Sequence, residues 1–252
     1  MVLLLKLDLS WKGTDLKTVL PIALTLICFT AYWFISQSEN IKKMFYDKND
    51  FDAASVKHIF FTKYMGFLLM GILPLLVCLI VLEETSPAYF GLCFLPSTFW
   101  FSVMWIVILS LLVIPLAYIS GKKPKNLLNY PQIRAKLWTR KIFYINLIGW
   151  VIYLFGYEFL FRGILLIPLN ETLGLWPAVA INVAMYSATH IPKGLDETIG
   201  AIPLGIVLCL LTLFSGTIWI AFWVHVALAW TNSLTALKFH PEIHYVNWNK
   251  RK

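Results

Sequence analysis

Charge is what this sequence has least of. Asp, Glu, Lys and Arg make up 13% of its 252 residues, against 59% hydrophobic residues, whereas ordinary soluble domains carry about 25% charge. A chain so poor in charge cannot cover a globule with hydrated side chains. Soluble, disordered, collagenous and disulfide-scaffold classes are excluded together, leaving an integral membrane protein. Cysteine is also scarce. Cys28, Cys78, Cys93 and Cys209 lie in or beside apolar runs with no CxxC pair, so they read as small buried side chains. The first eight residues lack the basic start and small-residue cleavage site of a signal peptide. No HExxH, internal repeat or soluble domain is present.

What the chain does have is long apolar runs. A hydrocarbon core about 30 Å thick needs ~20 apolar residues per helix. Seven stretches qualify: Val19–Gln37, Phe60–Leu82, Phe99–Ser120, Lys141–Leu169, Leu173–Ile191, Thr198–Phe214 and Thr217–Leu237. The expected fold is therefore an all-α, polytopic transmembrane helix bundle of about seven spans, within a range of six to eight. Residues 1–18 read as a short interfacial helix.

The formal net charge is +8, and its placement gives the orientation. Lys42, Lys43, Lys48 and Lys57 lie between spans one and two. Lys122, Lys123, Lys125, Arg134, Lys136 and Arg140 lie between three and four, with Lys141 at the start of span four, and Lys238, Lys250, Arg251 and Lys252 follow the last span. The segments 83–98, 170–172 and 215–216 carry no lysine or arginine. The positive-inside rule makes the basic loops cytoplasmic and the N-terminus external, with Lys6, Lys12 and Lys17 arguing mildly the other way. The basic residues serve orientation and anionic headgroups; the bilayer is a partner and no nucleic acid is implied.

Ionisable groups inside spans cost about 2.5–3.5 kcal/mol on insertion scales and usually face a polar interior. Here they are few: Glu158 and Arg162 in span four, His190 in span five, His225 with Asn232 in span seven. Lys63 lies near enough to a span end to snorkel. Glu158 and Arg162 are i,i+4 neighbours, placed for an intrahelical ion pair. Tyr186 shares a face with His190, and His225 with Asn232. Counting ~1.5 Å per residue from the outward turns puts Glu158, His190 and His225 ~21, ~27 and ~14 Å deep. One shared polar cavity fits those depths. A pair that only holds the bundle together, histidines bonded to their neighbours, and a proton-coupled transporter fit the same spacing.

The motifs Glu158-Phe-Leu-Phe-Arg162-Gly163, Tyr186-Ser-Ala-Thr-His190 and His225, on successive spans over roughly residues 141–240, resemble the CPBP family. Its members are the CAAX-protease and bacteriocin-processing (Abi) membrane proteins related to Rce1-type prenyl-protein endopeptidases. The family carries EExxxR, [FY]xxxH and HxxxN/D-type motifs. Here Tyr157 stands where the doublet has its first glutamate, and Ala229 stands four residues after His225, with Asn232 at seven. The division implied is N-terminal helices over 1–140, the motif-bearing core over 141–240 and a cytoplasmic tail over 241–252.

The resemblance implies hydrolysis of a peptide bond in a membrane-embedded or lipidated peptide or protein, by a water held between glutamate and histidine. Glu158 would be general base, His190 its partner in positioning the water, and His225 with Asn232 the donors to the oxyanion. Arg162 would orient Glu158, while Tyr186 and Tyr157 support. Ser187 and Thr189 read as helix-face polarity. No cofactor is expected. Zinc on Glu158, His190 and His225 is the alternative. The multi-pass chain is expected in the bacterial cytoplasmic membrane. Competing readings are an inactive family member acting as an immunity or scaffold protein, and a transporter, against which the absence of inverted repeats speaks.

Overall fold

The computed structural model describes residues 10–83 and 85–246. Helix α1 spans Gly13–Gln37 and α2 spans Glu39–Tyr46. They are followed by α3 (Phe51–Val81), α4 (Pro96–Gly121) and α5 (Arg140–Leu173). The last three are α6 (Leu175–Ala188), α7 (Leu195–Ser215) and α8 (Trp219–Phe239). Six of these, α1, α3, α4, α5, α7 and α8, are long and apolar enough to cross a membrane. The chain is an all-α, multi-pass integral membrane protein.

Span five is shorter than the apolar run suggested. Gly174, at φ +82°, breaks the chain from α5, and α6 stops after 14 residues, ~21 Å of helix. It still carries the chain across. The strands β1 (Leu137–Trp138) and β2 (His244–Tyr245) pair in parallel, so both lie at one end of the bundle. Four traversals, α5 to α8, must separate them. The expected interfacial helix is replaced by the start of α1 from Gly13 onward; residues 1–9 and 247–252 lie outside the described residues, with the calls on Lys6, Lys250, Arg251 and Lys252.

The two ends of the bundle differ in charge. At one end Thr98 Oγ1 donates to the Ser215 carbonyl at 2.8 Å and Trp219 Nε1 to that of Cys93 at 2.8 Å. Lys17, which seemed misplaced there, pairs with Glu171 at 3.6 Å. At the basic end the Arg134 amide donates to Ser55 Oγ at 2.7 Å and the Lys136 amide to Asp52 at 2.9 Å. Lys125 faces Asp196 at 3.7 Å.

Two spans widen locally into π-helix, at Leu68–Ile72 in α3 and Phe159–Leu166 in α5. Each widening ends two residues before a proline, Pro74 and Pro168. Proline removes an N–H and its ring crowds the preceding turn; a wider turn accommodates both, and such bulges concentrate at functional sites. The α3 and α5 backbones meet closely beside these segments. A Cβ at Gly156 would sit 2.9 Å from Phe67 Cα and 3.0 Å from the Gly66 carbonyl oxygen, so only glycine fits there.

Candidate active site

The π segment of α5 begins one residue after Glu158 and contains Arg162, and all eight of its residues are buried. Both charged side chains are fully inaccessible, with Arg162 Nε 3.3 Å from Glu158 Oε2. The sequence spacing predicted this ion pair, and it forms. The other carboxylate oxygen, Oε1, lies 2.6 Å from His225 Nδ1 on α8. A carboxylate can only accept, so His225 carries its proton on Nδ1 when neutral and leaves the Nε2 lone pair free.

Arg162 is held from two further sides. One Nη1–H donates to Asn182 Oδ1 on α6 and approaches Cys209 Sγ on α7 at 3.7 Å. Its guanidinium carbon stands 4.5 Å from the Tyr186 ring centroid, a cation–π contact between two buried side chains. Asn182 Nδ2 donates to the Phe161 carbonyl inside the π segment at 2.6 Å. The amide thus ties the irregular backbone to the arginine it positions. Neither Asn182 nor Cys209 was singled out by the sequence reading. For Asn182 the signal was present: 182, 186 and 190 follow a four-residue step along one helix face.

His190 sits in the turn after α6. Its Nδ1 lies 3.0 Å from the Tyr186 carbonyl and 3.2 Å from Thr189 Oγ1. The carbonyl requires a donor, so this ring also exposes Nε2 as an acceptor. Thr189 is more than helix-face polarity. Its hydroxyl meets the Tyr157 hydroxyl at 2.7 Å and donates to Tyr186 O at 2.7 Å. It links the residue standing in place of the first family glutamate to the histidine motif.

These groups surround a cavity of about 980 Å³ whose lining includes Tyr157, Tyr186, Thr189, His190, His225 and Asn232. Asn232 lies two turns from His225, and its buried Oδ1 has no hydrogen-bond partner. Ala229, between them on the helix, also lines the space. Glu158 does not line it: the carboxylate lies behind His225. Between the carboxylate and the cavity stands the His225 imidazole.

Two further expectations change. Lys63 does not snorkel: it is 2% exposed, and its Nζ sits 3.1 Å from the Trp150 ring centroid. The zinc set is not assembled either, since among the described residues no three His, Cys, Asp or Glu side chains stand together as ligands. The Glu158 oxygens face a guanidinium and an imidazole N–H, and His190 turns its Nδ1 to its own backbone. This donor set does not fit a metal ion.

The family model for type II CAAX prenyl endopeptidase Rce1-like proteins matches residues 138–231. That part of the chain is Rce1-like. The Rce1-like segment runs from β1 to Thr231 and holds Glu158, Arg162, Asn182, His190 and His225; Asn232 falls just beyond it. The segment is thus similar, at the level of class, to CAAX-type endopeptidases. No curated protein and no solved structure matches the chain.

Proposed function

We propose that the chain is an intramembrane endopeptidase that cuts a membrane-embedded or lipidated peptide with water activated by the Glu158–His225 pair. The contact of 2.6 Å between Glu158 Oε1 and His225 Nδ1 carries this reading. It fixes the imidazole tautomer and turns a basic nitrogen to the cavity, the logic by which a buried carboxylate supports a catalytic histidine. His225 Nε2 takes a proton from water as its oxygen bonds to the scissile carbonyl carbon. Glu158 stabilises the imidazolium that forms. Collapse of the tetrahedral intermediate breaks the C–N bond, and His225 returns the proton to the leaving amine.

His190 Nε2 accepts the water's second hydrogen and holds it in line. Asn232 lies on the cavity wall two turns from His225, and its Nδ2 would donate to the oxyanion. Arg162 keeps Glu158 charge-balanced and in position, acting through the carboxylate, and Tyr186 covers the guanidinium. Tyr157 and Thr189 hold His190. The assignment departs from the family-derived one in giving the proton transfer to His225. The basic end, where Arg134 and Lys193 line the cavity, faces the cytoplasm in this reading, by the positive-inside rule.

Purified protein in lipid nanodiscs, given a lipid-anchored peptide, is expected to cut it. Glu158→Gln and His225→Ala should each lower the rate by about 10²–10⁴-fold while the protein remains monodisperse. Full activity in either variant removes the reading. An inactive scaffold is the second reading, favoured by Tyr157 in the place of a carboxylate; a cellular phenotype that survives both substitutions at full strength would select it.

A further inference from the structure

Between α4 and α5 the chain crosses the basic end of the bundle, and part of that crossing belongs to the cavity. Leu128, Asn129, Tyr130, Gln132 and Arg134 line it. Tyr130 is turned inward: it is 5% exposed, and its ring stacks on Trp150 with centroids 6.1 Å and planes 30° apart. Trp150 is eight residues before Glu158 on α5, or ~12 Å along the axis on the basic side. The Tyr130 ring therefore stands between the basic end and the Glu158–His225 pair.

The crossing is fastened unequally. Its second half is built into the bundle: Ile133, Ala135 and Trp138 are buried, the Arg134 and Lys136 amides donate to Ser55 and Asp52 of α3, and β1 pairs with β2. Its first half is bonded mainly to itself. The Asn129 and Tyr130 amides donate to the Asn126 carbonyl at 3.0 and 2.9 Å, and the Arg134 guanidinium donates to the Leu127 and Leu128 carbonyls. Among the described residues no backbone hydrogen bond joins 124–130 to a helix of the bundle. Side chains do the fastening there: the Tyr130 stack, Lys193 at the Tyr130 hydroxyl, the packing of Leu127 against the core, and an ion pair of Lys125 with Asp196 at the start of α7. That pair is 3.7 Å long with side chains 62% and 83% exposed, and an ion pair so open to water holds weakly. Lys125 lies across Gly194, where a Cβ would come within 2.9 Å of its Nζ.

We propose that residues 124–132 are a lid on the cavity, with Tyr130 as its plug, the Lys125–Asp196 pair as its latch and Arg134 as its hinge pin. The bonds inside the segment let it move as one body, and those of the second half keep the hinge in place. Arg134 serves both, its amide fixed to α3 and its guanidinium carrying the tip. Lifting the tip breaks none of the backbone hydrogen bonds that would be costly to leave unpaired. It gives up one ring stack, one exposed ion pair, the Lys193 contact and the Leu127 packing. Segments that open to admit ligands come from such weakly held parts of a fold. Closed, the lid shields the cavity between α5 and α8 from bulk water at the basic end; lifted, it admits a polar molecule. The inference needs the cavity and not the chemistry assigned to it.

The test reads access directly. A cysteine replaces Leu228, which lines the cavity on α8, in a Cys93→Ser background whose other native cysteines are buried. Its labelling by a polar, lipid-insoluble thiol reagent is timed in nanodiscs. Lys125→Glu, which sets a like charge against Asp196, should speed labelling about two- to fivefold, the range of an exposed ion pair. Adding Asp196→Lys should return the parent rate. Tyr130→Ala, which removes the plug, should speed labelling about tenfold. In the opposite direction, Lys125→Cys with Asp196→Cys, joined by a short reducible cross-linker, should cut a lipid-anchored peptide about tenfold or more slowly than the same protein after reduction. Unchanged labelling in both Lys125→Glu and Tyr130→Ala overturns the lid, as does a cross-linked protein that turns over at the rate of its reduced form. Entry would then lie between α4 and α7, where Leu112 and Leu116 line the cavity and are 59% and 60% exposed. If Tyr130→Ala does not fold, unchanged labelling in Lys125→Glu is enough to overturn it. Lid-dependent labelling without any cleavage would keep the lid and remove the protease reading; cleavage with lid-independent labelling would do the reverse.

Discussion

Helices α4 and α5 are both apolar runs of membrane-spanning length, yet 22% of the most apolar window of α4 is inside the protein against 72% of that of α5. The more apolar of the two is the one outside. Leu111 and Trp100 on α4 are 71% and 76% exposed, facing where lipid tails would lie. On α5 the stretch Phe159–Leu166 is buried throughout and carries Arg162. Lipid is as apolar as leucine, so apolarity alone gives no preference for the interior; close backbone packing and polar partnerships decide it. The charges that make α5 costly to insert are what place it at the centre.

Substitutions that attack this difference should rank by what they leave unpaired. Arg162→Met retains bulk but leaves Glu158 Oε2 without its guanidinium and the Asn182 amide oxygen with the Cys209 thiol alone, and should cost about 3–5 kcal/mol, read as a large fall in melting temperature in detergent. A change below about 1 kcal/mol would mean that the ion pair does not organise α5. Gly163→Ala tests close approach. Its Cβ would stand 2.7 Å from the Phe90 carbonyl oxygen, which is backbone and cannot swing away, so about 1–3 kcal/mol should be lost.

A smaller effect is expected outside the spans. His240 follows α8, its Nδ1 accepts from the Glu242 amide at 3.1 Å, and its Nε2 lies 3.2 Å from Arg134 Nη1, so a protonated ring would face the guanidinium charge. Burial, then the Arg134 charge, lowers its pKa below the ordinary histidine value. The stabilisation is therefore complete above the unfolded-state pKa and is lost as pH falls below it towards the folded-state value. Melting temperature should drop on going from about pH 7.5 to 5, and less so in His240→Gln. Equal slopes would show that this contact contributes nothing. Leu111→Ala, on the lipid face of α4, should change stability by no more than about 0.5 kcal/mol.

Much of this was legible in the residues. Hydrophobic runs and lysine placement gave the helical bundle and its two ends, and a few charges in apolar context led to Glu158, Arg162, His190 and His225. The rest depended on contacts across helices. Lys63 looked like a snorkelling residue because one-dimensional depth does not reveal the Trp150 ring above it. Asn182 looked like one polar residue in an apolar span, since the Phe161 carbonyl it satisfies belongs to a π segment that periodicity assumes to be α-helical. Pro74 and Pro168 were the visible clues to both irregular segments. The order of the contacts at the candidate site was out of reach: spacing put Glu158 and His225 in the same part of the bilayer, but only the fold sets the imidazole between carboxylate and cavity.

The central claim is that Glu158 and His225 act as one unit, and the most direct measurement is a double-variant cycle on single-turnover cleavage of the anchored peptide. Glu158→Gln and His225→Ala should each lose about 10²–10⁴-fold, and the double variant should be little worse than the more damaged single one, as for groups sharing one task. Multiplied losses in the double variant, or a His225→Ala protein that cuts at the wild-type rate, would contradict it.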